Sequence, residues 1–200
     1  MIIDSHSAVV DNDFIGHISE AKISDSELIS ALHTAFSNAS LTGVVHPLVF
    51  NNEVQQNNPR VKLLFANKLL YVASFDDIFQ CSTVKKRYYI KLVKDFFHWL
   101  TGESFPVVDG GVLTYWVRRK SLGEVHSTAM CIICGCGIFL SDDQDSVSLA
   151  NHIRTSLIGD IQIYDRKQFF DGCVADGQNL LPRKIVRSLT HAIRDSWEDE

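Results

Sequence analysis

Long apolar runs are missing from this chain. The apolar stretch Cys131 to Leu140 spans ten residues and stops at Ser141-Asp142-Asp143, about half of the ~20 that a membrane-spanning helix needs. The opening Met1-Ile2-Ile3-Asp4 lacks the basic start and the ~7–15-residue apolar core of a secretory leader. Positive charge is in deficit, with 19 Lys and Arg against 24 Asp and Glu and a formal net charge of −5. No global field therefore draws in polyanions, and any phosphate contact must come from a local basic patch. Also absent are a glycine-rich P-loop ending in Lys-Ser/Thr and a Gly-x-Gly-x-x-Gly turn, so nucleotide cofactors are not expected. Five cysteines, at 81, 131, 134, 136 and 173, are odd in number and lack the spacing of a disulfide framework. A cytoplasmic protein with reduced thiols is the expectation. Cys131, Cys134 and Cys136, with His126 upstream, have a partial zinc-ligand look. No second Cys or His pair follows at zinc-site spacing, and buried cysteines on a helix are the simpler account.

What is present suits a globular core. Hydrophobic residues are 46% and charged ones 22% of the chain, with twelve Phe and three Trp, and 200 residues suit one domain over 1–200, elaborated by an insertion. Ile2-Ile3 reads as a short buried strand ending on Asp4, and Asp11-Asn12-Asp13 as a turn or helix cap. Ser24 and Glu27 form a capping box ahead of Leu28, Ile29, Ala31, Leu32 and Ala35 at helical spacing. Val44-Val45 leads through His46-Pro47 to Glu53, and Gln55 to Pro59 is a loop. Leu69 to Ala73 suits a buried strand, and Lys85 to Leu100 an amphipathic helix with Tyr88, Leu92, Phe96 and Trp99 on one face. Asp109-Gly110-Gly111 marks a tight turn. Leu122 to Cys134 is a helix, Ile138 to Leu140 a strand, Ser146 to Leu157 a helix, Ile161 to Tyr164 a strand, and Pro182 to Trp197 a terminal helix. Strands alternating with helices imply an α/β fold, three layers α/β/α around a central parallel sheet, with residues 60–120 as an extra helical region and 180–200 as a C-terminal helix.

In such sheets ligands bind at the carboxyl ends of the strands. Two strands end in acid, Ile2-Ile3 in Asp4 and Ile138 to Leu140 in Asp142-Asp143, and Glu124 stands in the first turn of the helix that feeds the second. Gathered carboxylates repel one another unless a cation sits between them, and Mg²⁺ or Mn²⁺ favours such hard oxygen ligands. The bland readings are a turn cap for Asp4, a macrodipole contribution of ~0.3–1 kcal/mol for Glu124, and a helix cap for Asp142 or Asp143. His6 is better read as a packed or surface histidine.

Three blocks carry a family resemblance. Ile2-Ile3-Asp4-Ser5 resembles the PIN-domain start, a hydrophobic strand ending in Asp and a small polar residue. Leu122 to Ala129, containing Gly123-Glu124, resembles the Gly-Glu helix of one PIN subgroup, and Gly137 to Asp143 the later strand that ends in Ser/Thr followed by acids. The resemblance implies a PIN-like metal-dependent endoribonuclease of the kind found in toxin–antitoxin modules. Asp4, Glu124 and one of Asp142 or Asp143 would then be metal ligands, directly or through water, and Glu53 the second acid of the catalytic set. Hydrolysis would proceed through cation-activated water, with Ser5 or Ser141 orienting water or phosphate. Lys85, Lys86 and Arg87, and Arg118, Arg119 and Lys120, are the basic runs that would grip a nucleic-acid backbone, RNA in preference to DNA. Tyr115 and Trp116 would stack bases. An inhibitor or antitoxin protein is an expected partner, and no membrane is. The region 60–120 is longer than a compact toxin needs.

Two other functions compete. One is a PIN-like binding or scaffold module without catalysis, in a nucleic-acid-associated complex. The other is a different phosphate-handling α/β enzyme. A haloacid-dehalogenase-type start would need an acid two residues after Asp4, where His6 stands, and a von Willebrand-type metal site would need Ser there.

Overall fold

The computed structural model describes residues 3–117, 121–175 and 181–191. Its centre is a five-stranded, wholly parallel sheet of β1 (Ser7–Val10), β2 (Thr42–Val45), β3 (Leu70–Val72), β4 (Ile138–Leu140) and β5 (Gln162–Tyr164), in the order β3-β2-β1-β4-β5. Val9 at the centre pairs with Val44 on one side and Phe139 on the other.

Helices cover both faces, as the short apolar strands require. Ala8, Val10, Val45 and Leu140 enter one core, with α1 (Asn12–Ser19), α2 (Asp25–Asn38), α4 (Pro59–Ala66), α9 (Arg166–Ala175) and α10 (Arg183–Thr190). Val9, Val44 and Phe139 enter the opposite core, with α5 (Phe75–Phe79), α6 (Thr83–Thr101), α7 (Leu122–Cys134) and α8 (Gln144–Thr155). The alternation is the two-residue period of a strand whose side chains point to opposite faces. A short helix, α3 (Pro47–Asn52), follows β2 directly. This is the three-layer α/β/α arrangement that the alternation of elements implies. No described helix is long and apolar enough to cross a membrane.

Local chemistry sets the boundaries. Ser24 accepts from the Glu27 N–H while Glu27 accepts from the Ser24 N–H, so the expected capping box opens α2. Pro47 and Pro59 stand in the first turns of α3 and α4, where a missing N–H costs nothing. Gly135, at φ 73°, ends α7 in the left-handed conformation.

Three expectations need correction. The first strand is Ser7–Val10 and not Ile2-Ile3. Ile3 is buried in the core beneath, outside any strand, and Met1 and Ile2 lie outside the described residues. Ala8, Val9 and Val10 can satisfy two neighbouring strands and two covering layers at once, whereas Asp4, Ser5 and His6 form an exposed turn closed by Ser7 N–H donating to the Asp4 carbonyl at 3.0 Å. The region 60–120 is more than a helical elaboration, because β3 within it forms one edge of the sheet. The terminal helix occupies Arg183–Thr190, and residues 192–200 lie outside the described part of the chain.

Candidate functional site

β1 and β4 are neighbours, yet the chain reaches β2 and β3 on one side of β1 before returning to β4 and β5 on the other. The crevice beyond their carboxyl ends is the topological switch point at which open α/β sheets bind ligands. Asp11 leaves β1 there, and Ser141-Asp142-Asp143 leaves β4.

Asp11 is 1% exposed and caps α1, its Oδ1 accepting from the Asn12 N–H at 2.8 Å. Its Oδ2 accepts from the Ser141 hydroxyl at 3.0 Å. With its one proton so used, the Ser141 oxygen accepts from the Asp143 N–H at 3.2 Å and from the Ser146 hydroxyl at 3.0 Å. The Asp11 N–H also donates to the Leu140 carbonyl at 2.9 Å. Burial raises the Asp11 carboxyl to about 7, and the charges of Asp13 and Asp143 push the same way.

Glu124 approaches from α7. Burial raises its carboxyl to about 9, with Asp11, Asp143 and Glu53 adding repulsion. Glu53 ends α3, and its carboxylate lies against Gly123, where a Cβ would stand 2.9 Å from Oε2. Glycine at 123 therefore makes room for the Glu53 carboxylate beside Glu124. Asp143 caps α8, its Oδ1 accepting from the Asp145 N–H at 2.6 Å, and burial with the nearby charges of Asp145 and Asp13 raises its carboxyl.

The paired acids of β4 thus divide. Asp142 accepts from the Arg166 backbone N–H at 3.0 Å and from the Arg166 guanidinium, and meets His17 Nδ1 at 2.6 Å. Although burial opposes it, hydrogen bonds from His17 and Arg166 and the Arg166 charge hold the Asp142 carboxyl below its ordinary value. Asp142 belongs to an ion-paired strut between α1 and α9, while Asp143 faces the Asp11 crevice.

Asp4 and Ser5 are elsewhere. Asp4 lies before β1, and the four strand residues that separate it from Asp11 span about 13 Å. Its charge bears on Cys136, which precedes β4 at the other end of that strand from Asp143. Its carboxylate accepts from the His6 N–H at 2.9 Å, so Asp4 caps a turn. The signal that identifies Asp11 was present in Ala8-Val9-Val10-Asp11, an apolar strand ending in acid. It was obscured by the similar, more terminal Ile2-Ile3-Asp4.

The first basic run opens α6, where Lys85 Nζ donates to Gln80 Oε1 at 2.8 Å and its charge acts on Cys134. Cys134 and Glu124 are ten residues apart on α7, about 15 Å along the helix. Lys85, Lys86 and Arg87 are therefore not brought to the carboxylates. Arg118, Arg119 and Lys120 lie outside the described residues. Tyr115 packs edge-on to Phe105 and Trp116 stacks over His126, both half-buried. Burial raises the thiols of Cys134 and Cys136, to about 11 and about 12.

The carboxylate chemistry suits a hard divalent cation. Among the described residues, however, no three His, Cys, Asp or Glu side chains stand close enough together, as placed, to hold one. Binding would require the long side chains of Glu53 and Glu124 to turn toward Asp11 and Asp143. Compared with known proteins, the chain matches no family model, no curated protein and no solved structure.

Proposed function

We propose that the protein is a metal-dependent endoribonuclease whose Mg²⁺ or Mn²⁺ is held by Asp11, Glu124 and Asp143, with Glu53 as a fourth acid. One observation supports this reading: the charges of Asp11, Asp143 and Glu53 all bear on Glu124 near the switch point, and the buried carboxyls of Asp11 and Glu124 are raised to about 7 and about 9. Such a group is strained when ionised and relieved by a cation. Val9-Val10-Asp11-Asn12 has the same pattern of hydrophobic strand, acid and small polar residue as Ile2-Ile3-Asp4-Ser5.

When bound, the cation supplies an activated water and neutralises charge on phosphate. The protein's own part is positional. Ser141 orients the Asp11 carboxylate through its hydroxyl, and the Asp143 N–H fixes Ser141 in turn. Glu124, whose buried carboxyl is raised to about 9, would give up its proton to a bound cation, with Glu53 beside it at Gly123. A cleft of about 330 Å³ opens beside the end of β4, lined by Ser141, Asp142, Asn151, Arg154 and Gln168 together with the apolar Val147 and Ile163.

The test is cleavage of labelled single-stranded RNA and DNA with Mn²⁺, Mg²⁺ or EDTA. Metal-dependent RNA cleavage that is lost in folded Asp11→Asn and Glu124→Gln variants is the expected result. Absence of both cleavage and Mn²⁺ binding would leave the non-catalytic binding or scaffold module as the better reading. One observation favours a second enzyme class. With Asp11 as the strand-end acid, Asp13 supplies the acid two residues later that a haloacid-dehalogenase-type phosphotransferase needs. Release of phosphate from p-nitrophenyl phosphate without RNA cleavage would select that class.

A further inference from the structure

Away from the carboxylates, three fully buried polar side chains form a triangle: His46 and His126 stack with ring centroids 5.2 Å apart, and the Tyr89 hydroxyl bridges them. The Leu48 N–H donates to His46 Nδ1 at 3.2 Å, so that nitrogen carries no proton and Nε2 does. His46 Nε2 lies 2.8 Å from the Tyr89 hydroxyl, to which it donates. The hydroxyl proton is then directed to His126 Nδ1, 2.6 Å away. His126 in turn holds its proton on Nε2, which has no partner among the described residues. The opposite arrangement at His126 would aim two donors at one phenolic oxygen and leave the tyrosine proton without an acceptor. Burial keeps both rings neutral, with His46 held well below its ordinary value and His126 lowered to about 3.

The two histidines that Tyr89 bridges sit at the two helices that bring acids together. His46 caps the start of α3, and Glu53 ends that helix. His126 lies on α7 two residues beyond Glu124 and three beyond Gly123, against which Glu53 rests. Tyr89 belongs to α6, which contributes no acid to the site.

We propose that Tyr89, through its hydrogen bonds to His46 and His126, is a positioning residue that holds α3 and α7 in the register that places Glu53 beside Glu124. This rests on the carboxylate site proposed above, and it gives α6, part of the long 60–120 region, a role in that site. The residues act through geometry: their hydrogen bonds run between the phenol and the two rings and to the Leu48 N–H.

The test combines nitrogen-15 spectra of the histidine rings with a Tyr89→Phe variant of the full chain. In the wild type both rings are expected as neutral Nε2–H tautomers from pH 5 to 8. A proton on Nδ1 of either ring would overturn the proposal without any variant, which keeps it testable if Tyr89→Phe fails to fold. In Tyr89→Phe the side-chain carboxyl carbon-13 resonances of Glu53 and Glu124 are expected to move, and Mn²⁺ affinity to fall ~10-fold or more, the scale seen when an outer partner of a metal ligand is removed. Phe96→Leu, a core change elsewhere on α6, is the control, expected to lower the melting temperature and leave Mn²⁺ affinity alone. Unmoved Glu53 and Glu124 resonances in Tyr89→Phe would sink the positioning role. If those resonances move but the wild type binds no Mn²⁺, the positioning role stands and the nuclease reading fails.

Discussion

The Ser141 hydroxyl donates to the Asp11 carboxylate across 3.0 Å, joining residues 130 positions apart in the chain. That bond ties the end of β1 to the end of β4 and places a buried acid at the centre of the crevice. Replacing Asp11 by Asn keeps an oxygen that can accept the Ser141 proton but removes the charge. Metal-dependent cleavage should be abolished, while the metal-free protein at pH 8 should melt at a higher temperature than wild type. RNA cleavage assays and thermal melts of the same preparation check both, and an active Asp11→Asn protein would remove Asp11 from the chemistry.

Stability should depend on pH in a direction set by the raised carboxyls. Asp11 moves from 3.8 in the unfolded chain to about 7, and Glu124 from 4.5 to about 9. The folded state holds these protons more tightly, so their penalty is absent below pH ~4 and grows through neutrality to pH ~9. The metal-free protein should therefore lose several kcal/mol between about pH 5 and pH 9. Mn²⁺ should offset the loss and bind more tightly as pH rises, with proton release visible by calorimetry in buffers of different ionisation enthalpy. A flat pH profile of stability would show that these acids do not share a confined space.

Asp142 and Asp143 should separate by experiment. Asp142→Asn leaves the buried Arg166 guanidinium without its anionic partner, a change of the kind that costs ~3–5 kcal/mol. Denaturant unfolding should show that loss, with Mn²⁺ affinity retained in the folded fraction. Asp143→Asn should do the reverse, keeping most stability and weakening Mn²⁺ binding.

Gly123→Ala tests the space that Glu53 occupies. Alanine gains about 1 kcal/mol of helix propensity over glycine, but its Cβ would stand 2.9 Å from Glu53 Oε2. The expected outcome is a protein no less stable by more than about 1 kcal/mol, with Mn²⁺ affinity and cleavage reduced together. Unchanged binding would show that Glu53 is free to shift without consequence.

Much of this architecture was legible in the residues, because local chemistry acts over a few positions. Ser24 and Glu27 announce α2, Leu122 to Cys134 with Gly135 behind it delimits α7, and Ile138 to Leu140 forms β4 as its apolar run implies. Glu124 and Asp143 could likewise be placed near one another, since one helix, one turn and one strand separate them.

Which apolar pair begins the sheet was not a local matter. Ile2-Ile3-Asp4 and Val9-Val10-Asp11 carry the same short-range signal, and only pairing with Val44 and Phe139 on both sides selects the second. The division of Asp142 from Asp143 was equally hidden, because it depends on Arg166 and His17, which lie 24 and 125 positions from Asp142. Nearest neighbours and periodicity fix the alternation of strands and helices, the caps and the supply of acids. Which acids meet and which are neutralised follows from packing, because burial and charge proximity belong to the folded chain and to no single segment of it.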